Sequence, residues 1–339
     1  MSARMAGEGG FMVAQSISDG AAWTNRRDFI VVPLYSLRLD RPIDFDLFLP
    51  ARSGRAPMLY RKKGAVISKD DRAGLQRTKI FTLLVKPVDR DAYRVYLGEH
   101  LVPLLKDDKT IAEEKCAVLY DTAVALVRDM IEHSDMAGAF RQVMYIVDTM
   151  VSYMLSEPRS FRLLISKPSI DYFVYTHSVN VFIFSVFLAQ RAGVLKEDIA
   201  DLARGALFHD IGKGKLDETI LLCKGKLSDA QWDEMRRHTL YSVDLLSSQG
   251  EVNQVALDVV RHHHEKLTGR GYPDGLLGDK VSVYSRICCI ADIFDALTTD
   301  RNHQRAMDSF PSLKLMKAEM GDDIDASLFR AFVEVMGSK

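Results

Sequence analysis

The chain has 339 residues, of which 47% are hydrophobic and 27% charged, and its formal net charge is -1 at pH 7. This is the composition of an ordinary soluble protein with enough apolar residues for about two globular units. The near-neutral charge provides no broad cationic field, which argues against a nucleic-acid polymer as the main partner. The four cysteines contain no CxxC pair and no disulfide framework, so we expect reduced thiols and a cytoplasmic protein.

The first third of the chain predicts a tail followed by a small mixed module. Residues 1–28 are rich in Gly, Ser and Ala and lack the apolar core of a secretory signal, so we predict a flexible tail. Residues 29–107 predict a small α+β accessory module. Its predicted elements are strands at 30–34, 43–47 and 79–85, a strand pair or hairpin at 58–67, and a helix at 89–102 that Pro103 would end.

Residues 108–158 predict a helical linker. Within it, one apolar stripe follows the three-and-four spacing of a helix and consists of Phe140, Val143, Met144, Val147, Met150, Val151 and Met154. We favour a helix that packs on its own domain. The alternative is a homodimer, in which the stripe pairs with its copy in a second chain.

From residue 159 to the end at 339 the pattern is nearly all helical. Residues 172–189 contain no Asp, Glu, Lys or Arg, which is the length and polarity of a membrane-spanning helix. The same stretch carries Thr176, His177 and Asn180. A helix buried on all sides explains both features, so no membrane is expected as a partner.

Histidines and aspartates recur along this helical part at five stations. Seven of the nine histidines lie between His177 and His303. The stations are His177, His209 with Asp210, His238, His263 with His264, and Asp292. Helices that face one another can project such residues inward to form a metal centre. Imidazoles and carboxylates without thiolates favour iron, manganese, nickel, cobalt or zinc, and we predict iron or manganese.

Asp210 is the predicted bridging ligand of this centre. A carboxylate has two oxygens and can bind two ions about 3.5–4 Å apart, whereas an imidazole binds one. The sequence therefore predicts two transition-metal ions.

The order and the amino-acid sequences of these motifs resemble those of the HD-GYP domain. The resemblance extends from Ser160 to Gly337 and is carried by His209-Asp210-Ile211-Gly212-Lys213, Arg237-His238, His263-His264-Glu265, Gly269-Arg270-Gly271-Tyr272-Pro273-Asp274-Gly275 and Ala291-Asp292-Ile293-Phe294-Asp295-Ala296-Leu297-Thr298. Residues 44–47 and 59–62 also resemble the small module found ahead of HD-GYP domains. The implied fold is α+β overall, with an all-α helical bundle of the HD superfamily after a small mixed α+β domain.

The resemblance also implies a function, hydrolysis of cyclic-di-GMP by a hydroxide that two metal ions activate. It implies a set of metal ligands, divided between the ions as His177, His209, Asp210 and Asp292 for one, and His238, His263, His264 and the shared Asp210 for the other. Some family members hold a third ion through a glutamate where this chain has Phe173. Phenylalanine cannot bind a metal, so two ions are expected. We interpret His262 as a supporting residue.

The implied substrate contacts lie around this centre. Lys213 follows His209 by about one helical turn and is predicted to neutralise a phosphate oxygen, which makes it catalytic together with Asp210. Arg301 matches a family arginine that binds phosphate. Tyr272 lies in the loop that shapes the pocket wall, and the same loop is implied in contacts with a diguanylate cyclase (GGDEF-type) domain.

Four positions depart from the family pattern on the substrate side. Thr268 replaces an aspartate, and Asn302, His303 and Gln304 replace Pro-Tyr-(Lys/Arg). His303 stands where the family has an aromatic ring that could stack on guanine. Gln304 stands where the family has a cation that faces the phosphate, and Arg305 could compensate for that cation. We therefore expect weakened hydrolysis of cyclic-di-GMP. The alternatives are a non-hydrolysing cyclic-di-GMP sensor or docking module, and a phosphohydrolase of another nucleotide.

Overall fold

The structure is a computed structural model that describes residues 29–39, 41–50, 56–132, 140–157, 159–165, 174–221, 223, 225–250, 252–299 and 305–337. The predicted tail at 1–28 lies outside the described residues. So do Phe173, Arg301, His303 and Gln304.

The N-terminal module contains one antiparallel sheet with the strand order β1-β4-β2-β3. The strands are β1 (Ile30–Pro33), β2 (Leu47–Leu49), β3 (Met58–Arg61) and β4 (Thr82–Val85). Two helices accompany the sheet, α1 (Lys69–Arg77) and α2 (Arg90–Lys106). The predicted mixed α+β module is therefore confirmed. Helix α1 was not predicted, although Ser68 and Asp71 form a capping box at its start.

Two predictions in this module are wrong in detail. The segment 58–67 does not form a hairpin of its own: its one strand, β3, pairs with β2, and Val66 and Ile67 form isolated bridges to Pro42 and Leu39. The period-two alternation at 43–47 describes burial correctly, since Ile43, Phe45 and Leu47 are fully buried, but only Leu47 belongs to a strand. Alternating burial therefore reports which side chains face the core and does not require strand pairing.

The prediction that Pro103 ends its helix is also wrong. Helix α2 continues to Lys106 with Pro103 inside it. A proline removes the bond to the carbonyl four residues earlier, here that of Glu99. Both Pro103 and Glu99 are exposed, so water can satisfy that carbonyl, and only one turn of helix remains.

The segment predicted as a linker forms α3 (Ala112–Glu132) and α4 (Phe140–Ser156). The apolar stripe of α4 lies inside the protein, where Phe140, Val143, Val147, Met150 and Met154 are at most 5% exposed. The prediction that this helix packs on its own chain is confirmed. These side chains are already covered within the chain, and a homodimer stays a prediction.

The rest of the chain is helical, as predicted. Its helices are α5 (Ser160–Ile165), α6 (Val174–Arg191), α7 (Lys196–Phe208), α8 (Glu218–Leu221), α9 (Asp229–Arg236), α10 (His238–Ser248), α11 (Gln254–His262), α12 (Val283–Thr298), α13 (Ser309–Glu319) and α14 (Ala326–Gly337).

Helix α6 runs through the centre of this bundle. Val179, Val181, Phe182, Val186 and Leu188 are fully buried in one core that extends from β1 to α14. Among the described residues, no helix combines the length and the apolarity that crossing a membrane requires. The apolar stretch of α6 is therefore explained by burial within the protein.

Candidate metal centre

Five helices bring the predicted stations together at one point of the bundle. His177 lies in the first turn of α6, His209 and Asp210 follow the end of α7, and His238 begins α10. The last two stations are His263 with His264 at the end of α11, and Asp292 in α12. Most of these residues lie at or next to helix ends. Several helix ends can meet at one point, so side chains from different helices can converge there.

The side chains form two groups that share one carboxylate. Ligand atoms of Asp210, His238, His263 and His264 lie within 4.8 Å of one another, and so do those of His177, His209 and Asp210. Asp292 lies beside both groups, with Oδ1 3.1 Å from Nε2 of His177 and Oδ2 3.5 Å from Nδ1 of His264. Membership of Asp210 in both groups is the arrangement that a bridging carboxylate requires.

Backbone carbonyls orient three of the histidines. The Nδ1 atoms of His209, His238 and His263 lie 2.8, 2.7 and 2.9 Å from carbonyl oxygens three residues earlier in the chain. A neutral imidazole that donates from Nδ1 has its lone pair on Nε2. All three rings therefore turn an Nε2 acceptor toward the cluster.

Two of the atoms that face the cluster centre lack hydrogen-bond partners among the described residues. Nε2 of His209 and Oδ1 of Asp210 are buried and unsatisfied. The Nε2 atoms of His238 and His263 face each other at 3.4 Å. Buried polar atoms without partners are rare and destabilising, and nitrogen and oxygen acceptors that converge on one point fit transition-metal ions.

Burial and neighbouring carboxylates set the protonation of the imidazoles. Burial would lower the pKa of His177, but hydrogen bonds to Asp292 and Asp295 outweigh it and raise that pKa to about 9. Burial keeps the imidazoles of His238, His263 and His264 neutral, which is the form that binds metal. It lowers the pKa of His238 to about 4 and that of His264 to about 3. It also holds the pKa of His263 well below its ordinary value. Burial alone would raise the pKa of Asp210, but the charges of Lys213 and His209 outweigh it and keep that pKa well below its ordinary value. The Asp210 carboxylate is therefore ionised near neutral pH.

The metal-free protein should lose stability on mild acidification. His238 and His263 have lowered pKa values in the folded state, so below about pH 6.5 only the unfolded chain takes up their protons. Protonation of each of these histidines in the unfolded chain should lower the free energy of unfolding by about 2 kcal/mol between pH 7 and pH 5. Urea denaturation of chelator-treated protein at both pH values measures this loss. Equal unfolding free energies at the two pH values would contradict the burial of neutral imidazoles.

Comparison with known proteins places this site in a family. The family model described as HD domain matches residues 175–328. The protein Bd1817 from Bdellovibrio bacteriovorus, described as an HDG"Y"P protein, has the same fold, with a TM-score of 0.70 and 17% identity over 92% of this chain and all of that chain. All seven candidate ligands therefore lie within the region that matches an HD domain.

Curated relatives share this domain. A cyclic di-GMP phosphodiesterase of Pseudomonas aeruginosa, PA4108, is 30% identical over 65% of this chain and 54% of its own length. The 3'3'-cGAMP-specific phosphodiesterase 3 of Vibrio cholerae is 35% identical over 47% of this chain and 35% of its own length. The chain thus spans about half or less of the length of these curated relatives.

The loop of residues 269–275 is anchored beside the cluster, close to the end of α11. The Glu265 carboxylate accepts hydrogen bonds from the backbone N–H groups of Asp274, Gly275 and Leu276 at 2.7–3.0 Å. A Cβ atom at Gly271 would lie 2.4 Å from Cα of Glu265, so only glycine allows this approach. The ring of Tyr272 packs on His264 with centroids 4.7 Å apart. Tyr272 therefore forms a wall over one metal-ligand group.

Thr268, one of the departures from the family pattern, anchors the same loop. Its hydroxyl lies 2.6 Å from Oδ1 of Asp323. The same carboxylate accepts a hydrogen bond from Arg270 at Oδ1 and one from Lys266 at Oδ2. An aspartate at position 268 would place a second carboxylate against Asp323. The threonine thus suits its neighbour in this chain.

His262 contacts two carboxylates and points away from the cluster. Its Nδ1 lies 2.8 Å from Asp258 and its Nε2 lies 2.9 Å from Asp274. Both ring nitrogens are engaged, which supports the interpretation of His262 as a supporting residue.

Lys213 lies closer to the metal cluster than the sequence suggested. Helix α7 ends at Phe208, and residues Ile211–Lys215 form a 3₁₀ turn, so the α-helical spacing assumed from His209 does not apply. The Lys213 ammonium lies 2.5 Å from Oδ2 of Asp210. Arg305 is exposed, and no hydrogen bond or ion pair among the described residues joins it to the cluster.

Two polar residues at the site were not predicted to belong to it. Asp295 lies 2.7 Å from Nδ1 of His177, and Asn180 donates to Asp295. Their spacing was a usable signal. Asp295 follows Asp292 by three residues and Asn180 follows His177 by three, so each lies on the same helix face as a predicted ligand.

Proposed function

We propose that this protein hydrolyses a phosphodiester of cyclic-di-GMP at a centre of two transition-metal ions, iron or manganese. The observation that carries the proposal is the shared carboxylate of Asp210, which belongs to both ligand groups. Relatives named as cyclic di-GMP phosphodiesterases occur in P. aeruginosa and in Xanthomonas campestris. The cytoplasm is the proposed location, as the reduced thiols expected from the sequence suggest.

In this proposal, some residues bind the metal ions and others contact the phosphate. His177, His209, Asp210 and Asp292 would hold one ion, and His238, His263, His264 and Asp210 the other. Bound metals supply an activated water and neutralise the phosphoryl oxygens. Lys213, once released from Asp210, is within reach of a phosphate oxygen and can stabilise charge there. Tyr272 limits the pocket above His264.

A non-hydrolysing cyclic-di-GMP sensor is the second candidate. The observation that favours it is the pair His303 and Gln304, where the family pattern has an aromatic residue and a cation. Base stacking contributes about 1–3 kcal/mol per base, and correct orientation of the nucleotide is needed for turnover. A complete metal centre can therefore coexist with slow or absent hydrolysis. The loop with Tyr272, which carries the exposed Leu277, is the proposed contact for a diguanylate cyclase domain.

The deciding experiment measures binding and turnover in the same samples. Protein loaded anaerobically with Fe(II) or Mn(II) is incubated with cyclic-di-GMP and, in parallel, with 3'3'-cGAMP. We expect binding of cyclic-di-GMP and slow formation of linear product. Binding without product supports the sensor. Faster hydrolysis of 3'3'-cGAMP, or no binding of cyclic-di-GMP, supports a phosphohydrolase of another nucleotide and contradicts the proposal.

Lys213→Ala should lower turnover or affinity for cyclic-di-GMP about tenfold or more without lowering metal content. A hydrogen bond from a charged group contributes about 1.5–3 kcal/mol, and the ammonium competes with the ions for Asp210 instead of holding them. Elemental analysis and steady-state kinetics on the same preparation test this. Lys215→Ala is the matched control, since Lys215 is exposed in the same 3₁₀ turn. Loss of metal from the Lys213 variant would make Lys213 a structural residue and refute the proposed role.

A further inference from the structure

One metal-ligand candidate is oriented by a side chain, unlike three of the others. His209, His238 and His263 direct Nδ1 to backbone carbonyls, which no substitution removes. Nδ1 of His177 instead lies 2.7 Å from Oδ2 of Asp295. The orientation of His177 therefore depends on whatever holds the Asp295 carboxylate in place.

Asp295 is held by a short series of hydrogen bonds. Its second oxygen, Oδ1, accepts from the Asn180 amide at 2.7 Å and from the Thr299 hydroxyl at 3.1 Å. The amide oxygen of Asn180 accepts in turn from the Tyr120 hydroxyl at 3.1 Å. Tyr120 is 6% exposed and Asp295 1%, so water competes little for these bonds. Burial also raises the pKa of Tyr120, which keeps its hydroxyl protonated as the donor.

The series begins outside the HD domain. Tyr120 belongs to α3, whereas the family match begins at residue 175. Helix α3 is joined to α2 of the N-terminal module by a buried ion pair, in which the guanidinium of Arg94 lies 2.5 Å from Asp129. A displacement of α3 would therefore reach the Asp295 carboxylate through two hydrogen bonds.

We infer that Tyr120 and Asn180 are positioning residues for the metal ion held by His177, and that they connect α3 to this ion through Asp295. The inference rests on the proposed metal centre. A carboxylate that accepts the second N–H of a histidine fixes the ring and raises the basicity of the other nitrogen, and loss of such a partner typically lowers metal affinity 10–100-fold. The effect should be confined to one ion. Backbone carbonyls orient His238 and His263, Nδ1 of His264 lies 3.5 Å from Asp292, and no hydrogen bond or ion pair among the residues described joins these three histidines to Asp295.

The test compares Mn(II) binding by the full-length wild type with that by Tyr120→Phe and Asn180→Leu. Tyr120→Phe removes one hydroxyl and keeps the ring, so it preserves the core even if Asn180→Leu does not fold. Tyr153→Phe is the matched control, since Tyr153 is a buried tyrosine of α4 whose hydroxyl lies 4.0 Å from Sγ of Cys116. Titration followed by electron paramagnetic resonance distinguishes a coupled pair of Mn(II) ions from a single ion.

We expect Asn180→Leu to weaken one ion about tenfold and Tyr120→Phe to weaken the same ion by a smaller factor, with the other ion unchanged. At limiting Mn(II), the spectrum should change from that of a coupled pair to that of an isolated ion. Equal binding of both ions by wild type and variants would overturn the inference and leave the metal centre standing. Equal weakening of both ions would also overturn it. A wild type that binds no ions would overturn the proposed function itself.

Discussion

Asp210→Ala should remove both metal ions and abolish phosphodiester hydrolysis. Asp210 is 1% exposed and belongs to both ligand groups, so its loss takes one ligand from each ion. It also leaves the five imidazoles without the carboxylate that the two groups share, with Asp292 as the remaining candidate carboxylate ligand. Without the ions there is neither an activated water nor neutralisation of the phosphoryl oxygens. Elemental analysis and product chromatography on the same preparation measure both losses.

The control for this variant is Asp201→Ala. Asp201 is likewise a buried aspartate, but it lies within α7 and pairs with Arg204, so its loss should leave metal content unchanged. If Asp210→Ala lost one ion and kept the other, the bridging role would be refuted. A variant that kept both ions would refute its role as a ligand altogether.

Gly212→Ala should destabilise the protein by about 3 kcal/mol and reduce its metal content. A Cβ atom at Gly212 would lie 2.2 Å from the carbonyl oxygen of His238 and 2.5 Å from the backbone nitrogen of Ser242. Both are backbone atoms of α10, so the helix must move as a unit. The movement would also break the bond from the Gly212 N–H to the Ser242 hydroxyl, now 2.7 Å long. It would carry His238 away from Asp210, which lies 3.3 Å from its Nε2.

Urea denaturation and metal analysis measure the two effects. Gly225→Ala is the matched control, because a Cβ atom there meets nothing within 4 Å and its stability should stay within about 0.5 kcal/mol of wild type. A Gly212→Ala protein with wild-type stability and metal content would show that the 3₁₀ turn can move off α10 without cost. That result would contradict the idea that this contact positions His238.

The helical bundle and its ligand stations could be predicted because they depend on residue type and spacing. Apolar periodicity predicted the helices, and His-Asp and His-His neighbours separated by whole helices predicted a cluster. The structure brings His177, His209, Asp210, His238, His263, His264 and Asp292 to one place. Histidines deep in an apolar pattern are informative because an unpaired polar group is costly there.

What the sequence could not predict depends on the local path of the backbone. The change from α7 to a 3₁₀ turn at Ile211 places Lys213 on Asp210, and no propensity predicts that change. Helix α2 continues past Pro103 because the Glu99 carbonyl that the proline leaves unbonded can bind water. Whether that carbonyl is accessible to water depends on the tertiary structure. The link from Tyr120 to Asn180 joins residues 60 positions apart, beyond the range of any helical spacing.

Metal stoichiometry tests the central claim, a two-ion centre that shares Asp210, most directly. The wild-type protein is loaded with Fe(II) or Mn(II) under anaerobic and aerobic conditions, freed of excess metal, and analysed for metal and protein in the same sample. The shared carboxylate and the two ligand groups predict two ions per chain. A stoichiometry of one, of three, or of zero under both conditions would contradict it.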